Sequence, residues 1–284
     1  MSNRILIIGA SGFIGNALYK ELCSYQKTIG TYCSQEENYQ DNQAFYRFDA
    51  TTDDAERMLS EIKPTLIISC FRSSYPAEVK THLEVTRYVK NNKNCRIIFI
   101  SSVRVFDGNM LYPAYENSKP LAETLSGKNK ILIEKQIKEL PIQKYAVVRL
   151  PMVVGVNCRR IMQLKENIKN NHPFEVFPNL VINVTTITKI CQQIHYIINQ
   201  KCYGIFHLGS NDLIHHNDLF EEISEKLSVK KPIFKYTFNT NENRFLAVLP
   251  KYQLLPKELQ TTTKEVIKEI TLDEKSNTLK EILS

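Results

Sequence analysis

Ile5-Leu6-Ile7-Ile8-Gly9-Ala10-Ser11-Gly12-Phe13-Ile14-Gly15 decides the reading of this chain. Four consecutive apolar residues read as a strand, and Ile14, Ala17, Leu18 and Leu22 recur behind them at helical spacing. Between them lies a glycine turn spaced G-x-x-G-x-x-G. Glycines there permit a tight turn, close approach of backbone to a pyrophosphate, and close helix–strand packing. The helix N-terminus then faces the phosphates with its free N–H groups. A glycine trio alone also spells an ordinary turn. Its place between a strand and a helix points to a dinucleotide site on Gly9, Ser11, Gly12, Phe13, Ile14 and Gly15.

The pattern continues outward from that turn. Strands are predicted at Ile5–Ile8, Thr28–Tyr32, Ala44–Phe48, Thr65–Ser69, Arg96–Ile100 and Tyr145–Arg149, with helices over 13–25, 53–62, 78–92 and roughly 121–140. Such alternation implies a doubly wound parallel sheet of Rossmann type with helices on both faces. Asp53-Asp54 can cap the second helix and Lys63-Pro64 stops it. After Gly155 the rhythm changes. Helices are predicted over 159–170, 186–198, 216–227 and 263–270, with short strands at Ile205–Leu208 and Ile233–Tyr236. The expected organisation is a dinucleotide-binding domain over 1–155 and a smaller substrate lobe over 156–284. That lobe is expected over the carboxyl edge of the sheet, where open α/β sheets bind ligands, and some of its segments rejoin the main domain. Residues 273–284 read as a loosely held polar helix.

Composition excludes several classes. The 284 residues are 43% apolar and 24% charged, ordinary for a globular protein with a sizeable core. No stretch approaches 18 apolar residues, and no signal-peptide pattern is read at the start, so a cytoplasmic protein without membrane contact is expected. Seven cysteines, scattered without C-x-x-C pairs, read as reduced, mostly buried thiols. The six histidines lack metal-site spacing, so no metal is expected; His215-His216 reads as a helix start. Asn183-Val184-Thr185 has glycosylation spelling, without meaning in a cytoplasmic chain. The net charge of +7 is spread along amphipathic helices and reads as solvated surface, not a nucleic-acid footprint.

A second motif is Ile100-Ser101-Ser102-Val103-Arg104-Val105-Phe106-Asp107-Gly108. With the glycine turn, with Arg149-Leu150-Pro151-Met152-Val153-Val154-Gly155 and with Tyr203-Gly204-Ile205-Phe206-His207-Leu208-Gly209-Ser210, the chain resembles the extended short-chain dehydrogenase/reductases. Within them it is most similar to the dTDP-4-dehydrorhamnose reductase group. The resemblance implies NAD(P) on the glycine turn, a nucleotide-sugar under the second lobe, and a Ser/Thr, Tyr, Lys trio. In that family the tyrosine exchanges a proton with the substrate oxygen while a hydride passes from the nicotinamide. The lysine lowers the tyrosine pKa and holds the nicotinamide ribose. The Ser/Thr hydrogen-bonds the substrate oxygen. A phenol of pKa about 10 needs such a nearby positive charge to act at neutral pH.

Ser102 fills the Ser/Thr position, but the tyrosine is missing. The family's Y-G-x-x-K-x-x-x-E is matched by Ser126-Gly127-Lys128-Asn129-Lys130-Ile131-Leu132-Ile133-Glu134, with Ser126 in the tyrosine place. A second register, Tyr115-Glu116-Asn117-Ser118-Lys119 with Glu123, spells the motif better. It ranks lower because Pro120 would break the helix and the gap from Glu123 to Arg149 is long. A third arrangement has Tyr115 or Tyr112 reaching the cleft from the loop; the plainer one has both merely packing. Ser126 cannot replace a phenol directly, since an aliphatic hydroxyl is shorter and far less acidic. Water relayed by Ser126 or Ser102, with Lys130 as the charge, is the expected route.

The remaining candidates follow the same resemblance. Cys33 and Ser34 end the second strand, where an acidic residue would mark NAD. None appears before Glu36, which leans the cofactor toward NADP over NAD, though no arginine beside them marks a 2′-phosphate site. Asp49 and Ala50 correspond to the adenine contact, with helix capping the plainer role for Asp49. Ser69-Cys70-Phe71 corresponds to the turn passing the cofactor, and Pro151 to a further cofactor contact. Val103 and Arg104 replace the acidic pair of dehydratases, which argues against dehydration and offers Arg104 to an anionic substrate. Arg244 is the candidate diphosphate contact, a surface arginine being the alternative. The expected function is NAD(P)H-dependent reduction of a 4-keto-6-deoxy nucleotide-sugar in surface polysaccharide synthesis, by a possible homodimer. The alternatives are a cofactor- or nucleotide-sugar-binding protein or regulatory subunit without turnover, and an epimerase.

Overall fold

The predicted alternation folds as β1 (Arg4–Ile8), α1 (Phe13–Leu22), β2 (Lys27–Tyr32), α2 (Glu36–Tyr39), β3 (Phe45–Arg47), α3 (Ala55–Ile62), β4 (Leu66–Ser69), α4 (Tyr75–Asn91), β5 (Arg96–Ser102), α5 (Leu125–Ile137) and β6 (Tyr145–Leu150). The rest comprises β7 (Met152–Val154), α6 (Arg159–Asn170), β8 (Pro173–Val176), β9 (Leu180–Ile182), β10 (Val184–Thr186), α7 (Ile187–Asn199), β11 (Gly204–His207), β12 (Ile214–His215), α8 (His216–Leu227), β13 (Ile233–Tyr236) and β14 (Arg244–Leu246). This computed structural model describes residues 4–34, 36–39, 41–155, 158–227 and 230–272. Gln35 and the expected helix over 273–284 lie outside the described residues.

Seven strands form one parallel sheet in the order β11-β6-β5-β4-β1-β2-β3. The chain winds outward from β1 in one direction and from β4 in the other, so the order reverses between these two strands. A crevice outside the carboxyl ends of the strands at such a switch point is where open α/β sheets bind ligands. Pairing of Ile8 with Ser69 fixes the register of β1 and β4 there. The strand cores are near-continuous apolar runs, as helices on both faces require. Leu6, Ile8, Phe99, Ile133 and Val147 pack together with Met58 and Val85 beneath α3, α4 and α5.

The chain divides into two compact units. One comprises Met1–Gly108, Pro120–Arg149 and Cys191–Phe206; the other comprises Asn109–Lys119, Leu150–Ile190 and His207–Ser284. The second unit has its own core, with Ile161, Leu164, Phe174, Val176, Phe220, Ile223 and Ile267 among its fully buried side chains. It holds more strand than its spacing predicts: β7 pairs with β10, β8 with β13, and β9 with both β12 and β14. These strands are two to four residues long, too short for a periodicity to show. Asn183 is fully buried, bonding the Ser210 and Val248 carbonyls through Nδ2, so its glycosylation spelling is accidental.

Several boundaries move for identifiable reasons. The fourth predicted helix starts at Leu125, because Thr124 caps it by accepting from the Gly127 N–H at 3.1 Å. Asp107 fixes that cap, taking the N–H of Glu123 at 2.7 Å, that of Thr124 at 3.3 Å and the Thr124 hydroxyl. Neither Asp53 nor Asp54 caps α3 with its side chain; the Ala55 N–H goes instead to Glu84 Oε2 at 2.7 Å. The thiols are all free, but only Cys95, Cys158 and Cys191 are buried, while Cys23 and Cys33 are exposed. Among the described residues, no helix is long and apolar enough to cross a membrane.

Candidate functional site

The glycine turn follows β1 directly. Gly9 has φ +91°, and a Cβ there would stand 2.6 Å from Phe71 Cα, so both conformation and space require glycine. Its N–H bonds Thr31 Oγ1 at 2.9 Å, and the Ser11 N–H bonds the Thr31 carbonyl at 3.3 Å, which pins the turn to β2. A Cβ on Gly15 would meet Gly9 O at 2.1 Å, so α1 closes on the turn. Gly12 differs. It is exposed, and its Cβ would meet only Gly9 O, at 3.3 Å. The fold leaves room for a side chain at Gly12; a ligand laid on the turn would not. Gly12 is also the N-cap of α1 and supplies no capping side chain to the first-turn N–H groups at Phe13, Ile14 and Gly15. A backbone cradle open to an anion is what a pyrophosphate needs.

At the same carboxyl end of β2, Cys33 and Ser34 are exposed and Asp49 lies beside Cys33. The Cys33 thiol hydrogen-bonds Asp49, and partial desolvation together with that carboxylate raises its pKa. Asp49 forms a tight turn of its own, Oδ1 accepting from the Thr51 N–H at 2.9 Å and from its hydroxyl at 2.7 Å; these bonds hold its pKa low. Ala50 is buried. The β2–β3 register sets Arg47 opposite Tyr32. A guanidinium therefore stands at this strand end and interacts with both Cys33 and Asp49. Reading the sequence found no arginine here because Arg47 arrives from the next strand; the predicted parallel alternation was the signal that would have brought it in.

Ser69 ends β4. Its hydroxyl lies 2.8 Å from His82 Nε2, while His82 Nδ1 lies 2.6 Å from the Glu78 carbonyl. A carbonyl only accepts, so Nδ1 carries the proton and Nε2 accepts from Ser69. Burial drives the His82 pKa down to about 3, which keeps the ring neutral. Phe71 stacks on His82, with ring centroids 5.3 Å apart. Cys70 bonds the Ile8 carbonyl through its thiol at 3.4 Å, and burial pushes that thiol up to about 12. The thiol is therefore a structural hydrogen-bond donor rather than a nucleophile.

On α5, Ser126 sits half-buried in the first turn and Lys130 one turn further. Gly127 allows α5 to meet the turn Val103–Phe106 backbone to backbone, since a Cβ there would stand 2.3 Å from Arg104 O. The Lys130 side chain is only 12% exposed; its ammonium lies 3.9 Å from Glu78 Oε2 and 4.8 Å above the centre of the Phe99 ring. Burial lowers its pKa, opposed by the Glu78 carboxylate. Glu134 binds Arg149 through two nitrogens, at 3.0 and 2.7 Å, and accepts from the Ser101 hydroxyl at 2.6 Å. Both partners are buried, and they fix α5 to β5 and β6. Ser102, half-buried at the end of β5, accepts from the Arg104 N–H at 3.2 Å, which leaves its own proton to donate.

Other predicted residues are placed less suggestively. Val103 is buried, and Arg104 is exposed with no ion pair to the described residues. Tyr115 through Lys119 belong to the second unit and form a turn rather than a helix. There the Ser118 N–H reaches Tyr115 O at 3.0 Å and the Tyr115 N–H reaches Ser118 Oγ at 2.9 Å. Tyr115 and Lys119 thus share no helix face. Lys251 lies 5.0 Å over the Tyr115 ring, and Tyr112 is 79% exposed, so Tyr112 does not pack. Pro151 is buried against Gly209, and Arg244 is half-buried in β14, its N–H on Asn179 O at 2.7 Å. The sequence reading missed Thr31, Arg47, Glu78 and His82.

The fold and the site together define a Rossmann-type α/β protein with a glycine turn at the carboxyl end of β1 and a largely buried lysine at the same sheet edge. The family profile of the RmlD substrate binding domain matches residues 3–272, and the chain belongs to that family. Curated relatives include methionine adenosyltransferase 2 subunit beta of Danio rerio, 26% identical over 241 residues, spanning 74% of this chain and 69% of that one. The Bos taurus protein of the same name is 23% identical over 245 residues, 74% and 68% of the two chains. Among solved structures, dTDP-4-dehydrorhamnose reductase from Bacillus anthracis in complex with NADP superposes with a TM-score of 0.74, at 17% identity over 96% of this chain and 99% of that one. dTDP-glucose 4,6-dehydratase from Bacillus anthracis in complex with NAD gives 0.77, at 15% identity over 97% of each. At these identities the structural likeness concerns the fold.

Proposed function

We propose that the protein is an NAD(P)H-dependent reductase of a 4-keto nucleotide-sugar, acting in cytoplasmic synthesis of surface polysaccharide, with its dinucleotide on Gly9–Gly15 and Lys130. The observation that carries this reading is Lys130 itself. A lysine almost removed from water is costly to keep, and ionisable groups so buried cluster at functional sites. It stands on the helix after the Ser102 strand, at the edge where Gly12 leaves an open cradle. The bound cofactor would supply the hydride. Ser102 donates a hydrogen bond to the substrate oxygen, and Lys130 holds positive charge beside it. With Ser126 in place of a phenol, the transferred proton comes from water held at the Ser102 hydroxyl. Missing one general acid costs about 10²–10⁴-fold in rate, so turnover is slow rather than absent. NADP is the proposed partner over NAD: Cys33 and Ser34 offer no carboxylate at the ribose position, and Arg47 sets a guanidinium there.

The test is NADPH oxidation with a panel of 4-keto nucleotide-sugars, using wild type, Ser126→Ala and Ser126→Tyr. Ser126→Ala is expected to change the rate little and Ser126→Tyr to raise it. Lys130→Met should strongly reduce dinucleotide binding, whereas Lys119→Met should not. If neither wild type nor Ser126→Tyr reduces any panel member while dinucleotide still binds, the second reading replaces the first: a dinucleotide-binding subunit without redox turnover. Ser126 favours that reading, as does the name of the curated relatives, each the subunit beta of another enzyme.

A further inference from the structure

We propose that Glu78 is a positioning residue for Lys130, its carboxylate holding the ammonium charged at the cofactor edge and clasping to it the loop that follows β4. This rests on the reading that Lys130 holds the dinucleotide. Glu78 lies in the first turn of α4 and is 4% exposed. A carboxylate taken out of water is tolerated only when its oxygens are fully engaged. Here Oε1 accepts the Ser73 N–H at 3.0 Å, while Oε2 accepts Asn129 Nδ2 at 2.7 Å and faces Lys130 Nζ at 3.9 Å. One carboxylate therefore joins three groups: the loop after β4, a side chain that orients α5, and the lysine of that helix.

The other charged and titratable groups around Lys130 do not replace it. Glu134, one turn along α5, is committed to Arg149 and Ser101. Arg72, from the loop, opposes the ammonium. His82 on α4 is neutral, and the Cys70 thiol is protonated. Phe99 offers the face of its ring. Among the described residues Glu78 is the carboxylate in ion-pair reach, so removing its charge leaves burial and Arg72 to favour the neutral amine. A merely structural Glu78 would tie down the loop without touching the charge of Lys130, and this difference can be measured.

The full chain is titrated with NADH by fluorescence between pH 6 and 9.5, or with NADPH above pH 7, where its 2′-phosphate no longer titrates. Affinity in wild type should fall as pH rises and Lys130 loses its proton. In Glu78→Gln the fall should come about 1–3 pH units lower, the displacement expected from losing an opposite charge at this range. Binding should stay near wild type at the acid end. Glu78→Asp keeps the charge one methylene further away and should fall between the two. Lys130→Met should bind at least about 10-fold more weakly, with no such inflection. If wild type binds neither dinucleotide, or Lys130→Met binds as wild type does, the functional reading fails. If Lys130 matters but the Glu78→Gln profile superposes on wild type, the role of Glu78 is refuted. Should Glu78→Gln not fold, Glu78→Asp decides alone, and a profile identical to wild type overturns the proposal.

Discussion

Glu134→Leu tests how α5 is held in place. Arg149 is the largest fully buried side chain among the described residues, with 0% of its surface exposed, and Glu134 is its bidentate partner. The substitution takes its carboxylate partner from the Arg149 guanidinium and removes the acceptor of the Ser101 hydroxyl. Removing one partner of a buried pair costs about 3–5 kcal/mol, because the other charge is left uncompensated. At roughly 2–4 °C per kcal/mol for a protein of this size, Tm should fall by about 6–20 °C. Arg149→Met should cost a similar amount. The double variant Glu134→Leu/Arg149→Met removes both charges. It should recover most of the loss, leaving about 1–2 kcal/mol for the stranded Ser101 hydroxyl. The assay is calorimetric and urea unfolding of the four proteins. Two single losses below about 1 kcal/mol, or a double variant equal to the sum of the singles, would falsify the view that this pair clamps α5 to the sheet.

Gly12→Asp should abolish NADH and NADPH binding in calorimetry while leaving Tm nearly unchanged, since only Gly9 O is near its Cβ. Gly9→Ala should instead destabilise the fold by about 1 kcal/mol or more, from its positive φ and its contact with Phe71. Equal thermal losses in the two would contradict the division of labour along the turn. Arg47→Ala should weaken NADPH binding about 10-fold or more and leave NADH almost unaffected; a matched loss in both would remove Arg47 from the 2′-phosphate site. His82 is neutral in the folded protein, with its pKa lowered to about 3 from about 6.5. Its contribution to stability is therefore lost as pH falls below about 6.5, where the unfolded chain takes up a proton that the folded one refuses. His82→Gln should reduce the acid-side slope of stability between pH 6 and 4 by about 1.4 kcal/mol per pH unit, read from urea midpoints. An unchanged slope would mean that His82 does not stay neutral.

The sequence alone was enough to locate what depends on consecutive residues. Ile5–Ile8 with Gly9, Gly12 and Gly15 announced strand, turn and helix, because side-chain periodicity and glycine spacing act over a few positions. Gly127, Lys130 and Glu134 were legible together for the same reason, since helical spacing puts them on successive turns of α5. The tertiary structure decided everything that rests on register between distant elements. Glu84 caps α3 from 29 positions away, a partner that the acidic pair at Asp53-Asp54 concealed. Arg47 reaches the end of β2 because two parallel strands stand side by side, and Glu78 reaches Asn129 across 51 positions because α4 packs on α5. Local propensity carries no record of such pairings. They exist only once the sheet brings helix faces together and burial makes an unpaired charge costly.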